Sequence, residues 1–270
     1  MSRLSAYLAR IAYTAPVRVD RATLFGLHRA HLLAIPYENL DIHLGRPLTL
    51  DLDHIFDRLV THHRGGWCYE MNGLFAWALR EIGFDVTLLA GTVGRAAGSA
   101  AAVGNHLVLR VALDHGYLVD VGFGNGFIEP LPLMEGSFDQ LGFLRFTLRR
   151  SGDLWELAND GTGGPGFDFA LAPHTLTDFA AQCHALQTEP SSGFVRVAVC
   201  HRFSPAGIHS LRGAVLQTFS ASGLTSVTLT SPALYVKTLD EVFDLRLNET
   251  DRLWEKVWTA HQAWQSTQIS

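Results

Sequence analysis

RGGWCYEMNGLFAWALREIGFDVTLLAGTV, residues 64–93, contains the change of period on which the fold turns. Leu74, Phe75, Ala78, Leu79 and Ile82 fall on one face of a helix. Gly83 supplies the left-handed residue that ends it. From residue 84 the helical period of about 3.6 gives way to the period of about 2 expected of a strand. The same stretch poses a chemical question about Cys68. In the first turn of a helix its sulfur would face unpaired backbone N–H groups and the positive end of the helix dipole, and both favour a thiolate. Gly65 and Gly66 would let the backbone turn sharply just before it. The competing reading is a small, buried, inert apolar residue. The residues of this stretch alone leave both open.

Upstream, the chain is predicted to be helical from its start to residue 83. Leu4, Tyr7, Leu8 and Ile11 form one stripe, and Leu24, Leu27, His28, His31 and Leu32 form a second that must stop near Pro36. Asp51 can cap a third helix, with Ile55, Phe56, Leu59 and Val60 inward. Downstream, VTLLAGTV, NHLVLRVAL, YLVDVGF, LRFTLRR, LWELA and FDFAL are short runs separated by turn residues. They predict an antiparallel sheet or small barrel over residues 84–190. TEPSSGF reads as a linker, after which FVRVAVCHRF, AVLQTFS, LTSVTLT and VFDLRL read as strands. A closing helix places Leu253, Trp254, Val257, Trp258, His261 and Trp264 on one face, a pattern read as core. Gly161, Gly163 and Gly166 have the spacing of a dinucleotide loop, but the inserted proline and the strand-like run that follows make them a hairpin turn.

The chain has 270 residues, 47% hydrophobic and 17% charged, a globular composition long enough for a substantial core. Its formal net charge of −5 disfavours nucleic acid or an anionic membrane surface as a general partner. No run reaches the ~18 apolar residues of a membrane span. The three cysteines, Cys68, Cys183 and Cys200, are odd in number and widely spaced. They suggest neither a disulfide framework nor a zinc site, and no His/Cys/Asp/Glu spacing suggests another metal. A cytoplasmic protein is expected, with its oligomeric state left open.

A cysteine nucleophile needs a base, and the base needs an orienting partner. NHLVLRVALDHGYLVDVGFG, residues 105–124, reads as a hairpin turning near Asp114–His115–Gly116. In an antiparallel pair, opposed residues have a constant sum of positions. Sums of 226, 228 and 230 suit this turn. His106 and Asp120 share a face in all three, because every sum is even. They are directly opposed at 226, diagonal neighbours at 228 and out of reach at 230. The sequence does not choose among them. Asp120 sits in the apolar run LVDVGF, where a buried carboxylate needs a partner and an imidazole N–H would provide one. The alternatives are a capping aspartate and a satisfied core histidine. Cys183–His184 and Cys200–His201, read as neighbours on strands pointing to opposite faces, rank below Cys68. His62, His63 and the remaining histidines read as surface residues.

Three ordered motifs carry a resemblance. IPYENLDIHLGRPL (35–48), RGGWCYEMN (64–72) and NHLVLRV followed by LVDVGFG resemble the arylamine N-acetyltransferases, in a match running from near residue 1 to about 125. Tyr37 stands where phenylalanine is common in that family. The resemblance implies an α+β architecture: an N-terminal helical bundle (1–83), a central antiparallel β-barrel (84–190) and a C-terminal α/β lid (191–270), around a core of the cysteine-protease or transglutaminase type. It implies a Cys68–His106–Asp120 triad, acetyl-CoA as donor, and an arylamine, arylhydrazine or N-hydroxyarylamine as acceptor. It implies that Tyr37 and Phe123 line the acceptor pocket and that Gly104 and Gly124 lie near the CoA entrance. It also implies that Arg64 and Glu38 form a supporting ion pair. The small-residue loop at 94–104 would admit the donor closely. The same triad would also serve an amide synthase, a hydrolase or another thiol acyltransferase. A binding protein that has lost catalysis is the non-enzyme alternative, against which the presence of all three triad residues counts.

Overall fold

The computed structural model describes residues 2–94, 103–162 and 164–268. The small-residue loop named above falls mostly in 95–102 and lies outside them. Helices α1 (Arg3–Arg10) and α2 (Arg21–Ala34) are capped by Ser2 and Asp20. Asp51 caps α4 (Leu52–Phe56), which continues as a wider π-helical turn, Asp57–Thr61. The long helix α5 spans Cys68–Ile82 and ends at Gly83, whose φ is +109°. Glu70 closes its start by accepting from the Trp67 backbone N–H at 3.2 Å.

Between α2 and α4, helix α3 (Leu40–Leu44) falls within the region expected to be helical, but strand β1 (Tyr37–Glu38) corrects that expectation.

Strands β2 (Asp85–Val93), β3 (His106–Ala112), β4 (Gly116–Val119) and β5 (Leu131–Pro132) are followed by β6 (Gly136–Gln140), β7 (Leu144–Ser151), β8 (Leu154–Asn159) and β9 (Phe167–Ala170). They form one antiparallel sheet of order β5-β4-β3-β2-β9-β8-β7-β6. The edge strands β5 and β6 are consecutive in the chain, and Gln140 of β6 bonds the backbone of Ile128 and Glu129 beside β5. The sheet is thereby curled into a nearly closed barrel. The last barrel strand ends at Ala170. The chain then forms a 3-10 turn at Leu176–Phe179 and helix α6 (Ala180–Thr188), where sequence reading expected more sheet. Cys183 and His184 are therefore neighbours on a helix and not on a strand.

The final third begins with the short helix α7 (Gly193–Arg196), so only the second half of FVRVAVCHRF is a strand. Strands β10 (Val199–Ser204), β11 (Gly207–Arg212), β12 (Val215–Ser220) and β13 (Gly223–Thr228) form a meander, packed under α8 (Pro232–Glu241) and α9 (Thr250–Gln268). VFDLRL, read as a strand, instead forms the connection between these helices. Along α9, Leu253, Trp254 and Val257 are core as expected, but Trp264 is 55% exposed.

Strand β1 completes this second sheet by pairing antiparallel with β10, Tyr37 opposite His201 and Glu38 opposite Cys200. Asn39 locks the junction. Its side chain donates to the Phe194 and Val197 carbonyls and accepts from the Val199 N–H at 2.7 Å. Leu40 and Leu44 of α3 are buried with Tyr235, Leu239 and Phe243 of the lid. A segment from the helical bundle thus acts as an edge strand and a core contributor of the last domain.

Candidate active site

Cys68 begins α5 and is buried. Gly65 and Gly66 are not left-handed turn residues, since neither has a positive φ. Close approach explains Gly65: a Cβ there would lie 2.4 Å from the Pro36 carbonyl oxygen and 2.5 Å from Glu38 Cγ. Backbone bonds from Glu38 N–H to Gly66 and from Gly66 N–H to Pro36 hold this contact. The loop before Cys68 is therefore fastened side by side to the segment carrying Tyr37.

The strand register is settled by Leu109 opposite Val119 and Arg110 opposite Leu118, a sum of 228. His106 and Asp120, just past the end of β4, are diagonal neighbours. His106 Nε2 lies 2.7 Å from Asp120 Oδ2, with both side chains buried. Asp120 Oδ1 accepts from Asn72 Nδ2 and from the Gly122 N–H, each at 2.8 Å. With Nε2 committed to the carboxylate, Nδ1 is the ring nitrogen left for the cavity that Cys68 and His106 line together. The His106 ring is held between Phe123 and Phe167, at centroid distances of 5.2 and 5.0 Å.

Asn72 was missed by sequence reading. It lies one helical turn after Cys68 and ties α5 to both segments that carry His106 and Asp120: Nδ2 also donates to the Leu107 carbonyl, and Oδ1 accepts from the Val121 N–H. Its signal was an amide on the inward face of an otherwise apolar helix. Gly122 lets the second strand reach this helix, because a Cβ would lie 2.7 Å from Cys68 Cα.

Burial pushes the Cys68 thiol up, and the charge of Asp120 adds to this. The Leu107 and Tyr69 backbone N–H groups pull the other way and do not prevail. The helix start alone therefore does not bring the thiol below its ordinary value. A proton leaving Cys68 needs a local acceptor, and the imidazoles of His106 and His201 line the same cavity.

The cavity has a volume of about 380 Å³. Tyr37 and Phe123 line it with Cys68 and His106, as does His201, which sequence reading ranked low. The His201 ring lies 5.6 Å from that of Tyr37, while the neighbouring Cys200 points into the lid core. Gly124 lies behind this wall, at φ +80° with room for no Cβ, since His201 Cδ2 would be 2.7 Å away. Gly104 does not line the cavity among the described residues. Its carbonyl accepts from the Tyr69 hydroxyl at 2.7 Å, and its Cα faces Phe179.

The Arg64–Glu38 pair is present at 3.0 Å but is one arm of a larger cluster. Its centre is Arg58, which bonds Glu38 at 2.8 Å, Asp41 at 3.0 Å and Glu70 at 2.7 Å. Burial draws the Arg58 guanidinium down, but Glu70, Glu38 and Asp41 outweigh it and hold the group above its ordinary value. Burial raises Asp41 too, yet Arg58 and Arg64 bring it below the usual carboxylate range. Glu70, fully buried, stays raised despite Arg58.

Two buried histidines correct the expectation that the remaining histidines lie at the surface. His28 donates from Nδ1 to the Ile128 carbonyl at 2.9 Å, and its Nε2 accepts from the Asp120 N–H. His31 meets the Tyr7 hydroxyl at 2.9 Å. Burial lowers His28 to about 4. In the unfolded chain the group sits near 6.5, so unfolding takes up a proton at pH values between the two. Stability is intact above that window and is lost as pH falls through it. Denaturant titrations at pH 7 and pH 5 are expected to differ by about 2 kcal/mol from His28 alone. His28→Gln should remove that share of the slope.

Among the described residues no group of three His, Cys, Asp or Glu could hold a metal, and no helix is long and apolar enough to cross a membrane.

Comparison with known proteins agrees with this architecture. A family model described as N-acetyltransferase matches residues 20–252. Arylamine N-acetyltransferase 1 of Homo sapiens is 34% identical over 237 residues, covering 79% of this chain and 82% of its own. The Gallus gallus pineal gland isozyme NAT-3 is 33% identical, covering 90% and 94%. The structure of Mycobacterium marinum arylamine N-acetyltransferase in complex with CoA superposes with a TM-score of 0.87 at 31% identity, covering 94% and 98%. That of the Nocardia farcinica enzyme gives 0.83 at 37%, covering 94% and 93%. A bundle, a nearly closed barrel and a lid around a cysteine-protease-like core, matched over almost the whole chain, define an acyltransferase. The chain belongs to the arylamine N-acetyltransferase family.

Proposed function

We propose that this chain transfers an acetyl group from acetyl-CoA to an arylamine, arylhydrazine or N-hydroxyarylamine through acetyl-Cys68. The observation that carries the reading is the 2.7 Å bond between His106 and Asp120 beside a cysteine at a helix start. The Cys68 proton passes to His106 as sulfur attacks the thioester carbon. Asp120 holds the ring and stabilises its charge. The tetrahedral intermediate expels CoA, whose sulfur takes the proton back from His106, leaving acetyl-Cys68. The arylamine nitrogen, neutral at pH 7, then attacks the acetyl carbon. His106 removes its proton and returns one to the Cys68 sulfur as the amide leaves. Backbone N–H groups, that of Cys68 among them, serve the developing oxyanion.

On this reading residues 1–83 carry the nucleophile, 84–190 the histidine and aspartate, and 191–270 the lid. Tyr37 and Phe123 suit a flat aromatic acceptor. Gly104 and Gly124 lie toward the donor, and Arg64 and Glu38 support the loop. The three free cysteines fit a reducing, cytoplasmic setting.

The test is mass spectrometry of the protein mixed with acetyl-CoA and no acceptor. One acetyl group on the Cys68 peptide, discharged by an aromatic amine, is the expected result. Unmodified protein with no release of CoA would sink acetyl transfer. Asp120→Asn is expected to lower kcat/KM by at least about 100-fold, since an amide cannot stabilise the imidazolium. Wild-type rates in that variant would remove the aspartate from the mechanism.

A further inference from the structure

A second cavity, of about 420 Å³, lies between the lid sheet and α9. It is large enough for a small organic ligand. Three cations border it: Arg196 at the end of α7, Arg212 at the end of β11 and Lys256 on α9. No aspartate or glutamate among the described residues lines it. The Arg196 and Arg212 side chains have no ion pair or hydrogen bond to a described residue. Lys256 Nζ donates to the His43 backbone carbonyl, which leaves its charge unneutralised. In a chain of net charge −5, three such cations around one hole repel each other and draw an anion in.

An independent observation concerns His261. It lines the same cavity, is only 7% exposed, and its Nε2 is buried with no hydrogen-bond partner. Buried polar atoms in folded proteins nearly always have a partner, and a polar group entering the cavity would supply one here. The ring stacks on Trp258 at 5.3 Å and meets Trp264 at 5.7 Å. Trp264, also at the cavity, gives it a flat and accessible aromatic side. Val215, Val257 and Ala260 supply apolar wall.

We propose that this cavity is a binding site for an aromatic carboxylate. Its ring lies along Trp264 and the apolar wall. Its carboxylate is held by the planar forks of Arg196 and Arg212, which match that group in geometry. A polar substituent on the ring completes His261 Nε2. The site does not depend on the thiol chemistry, although Arg212 borders both cavities.

Calorimetric titration of the full chain with 6-hydroxy-2-naphthoate, whose hydroxyl is the ring substituent assigned to His261 Nε2, tests this. One saturable site is expected, with binding weakened at least tenfold in Arg196→Gln and in Ala260→Phe, which fills the cavity. Both positions are exposed, so folding should survive, and acetylation of Cys68 by acetyl-CoA should be unchanged in Arg196→Gln. Binding should persist when CoA is saturating. Absence of saturable binding to the wild-type chain would overturn the proposal, as would binding that ignores both substitutions. Displacement by CoA would also overturn it, assigning the cavity to the phosphate-bearing end of the donor.

Discussion

Arg58→Ala is expected to cost at least about 3–5 kcal/mol of stability, the range for breaking a buried ion pair. The side chain is almost wholly buried and contacts three carboxylates, of which Glu38 and Glu70 have no exposure at all. Arg64 remains to serve Glu38 and Asp41, but Glu70 keeps no cation. Removing one partner leaves charges that must be protonated or hydrated in place. At a few degrees per kcal/mol for a chain of this length, the melting temperature should fall by roughly 10 °C or more. Glu38 also accepts from the Leu40 N–H at 2.7 Å, and Glu70 caps α5, so the damage reaches the Tyr37 segment and the helix that bears Cys68. Arg58→Lys keeps the charge but not the fork, and should fall between the two. A melting temperature within 2–3 °C of wild type for Arg58→Ala, about 1 kcal/mol, would show that the cluster is not structural.

Cys68→Ala is expected to abolish acetyl transfer, a loss of at least about 10⁴-fold in kcat, because the described lining of the cavity holds no second thiol. The other two cysteines do not line it, as Cys200 faces the lid core and Cys183 lies on α6. Burial raises both. The substitution removes one buried sulfur and should leave folding nearly unchanged, so circular dichroism and the melting curve separate chemistry from structure. Residual turnover above about 1% of wild type would end the covalent mechanism.

Much of the site is legible in the amino-acid sequence because its signals are local. Cys68 and Gly83 mark the two ends of a helix by residue type. His106 and Asp120 lie on one hairpin, so parity alone puts them on one face, and the fold has only to choose the sum of 228. What escapes depends on distant partners. Asn39 meets residues about 155–160 positions away, and His201 faces Tyr37 only because β1 joins β10. Arg58 reads as an ordinary polar residue of a helix until Glu38, Asp41 and Glu70 converge on it. The helix at 180–188 replaces an expected strand. VFDLRL alternates as a strand would, but it follows α8 directly and its backbone never reaches a sheet edge.

The pairing of β1 with β10 also sets an order of events during synthesis. Residues 37–39 leave the ribosome early, yet their strand partner is made some 160 residues later. Until then the edge of β1 has no mate and Asn39 no carbonyls to bind. A nascent chain stopped before Val199 therefore holds Cys68 in a pocket with one wall missing. Closure of that wall is a late, long-range contact of the kind that slows folding. Cys68 is thus enclosed only after synthesis has passed His201.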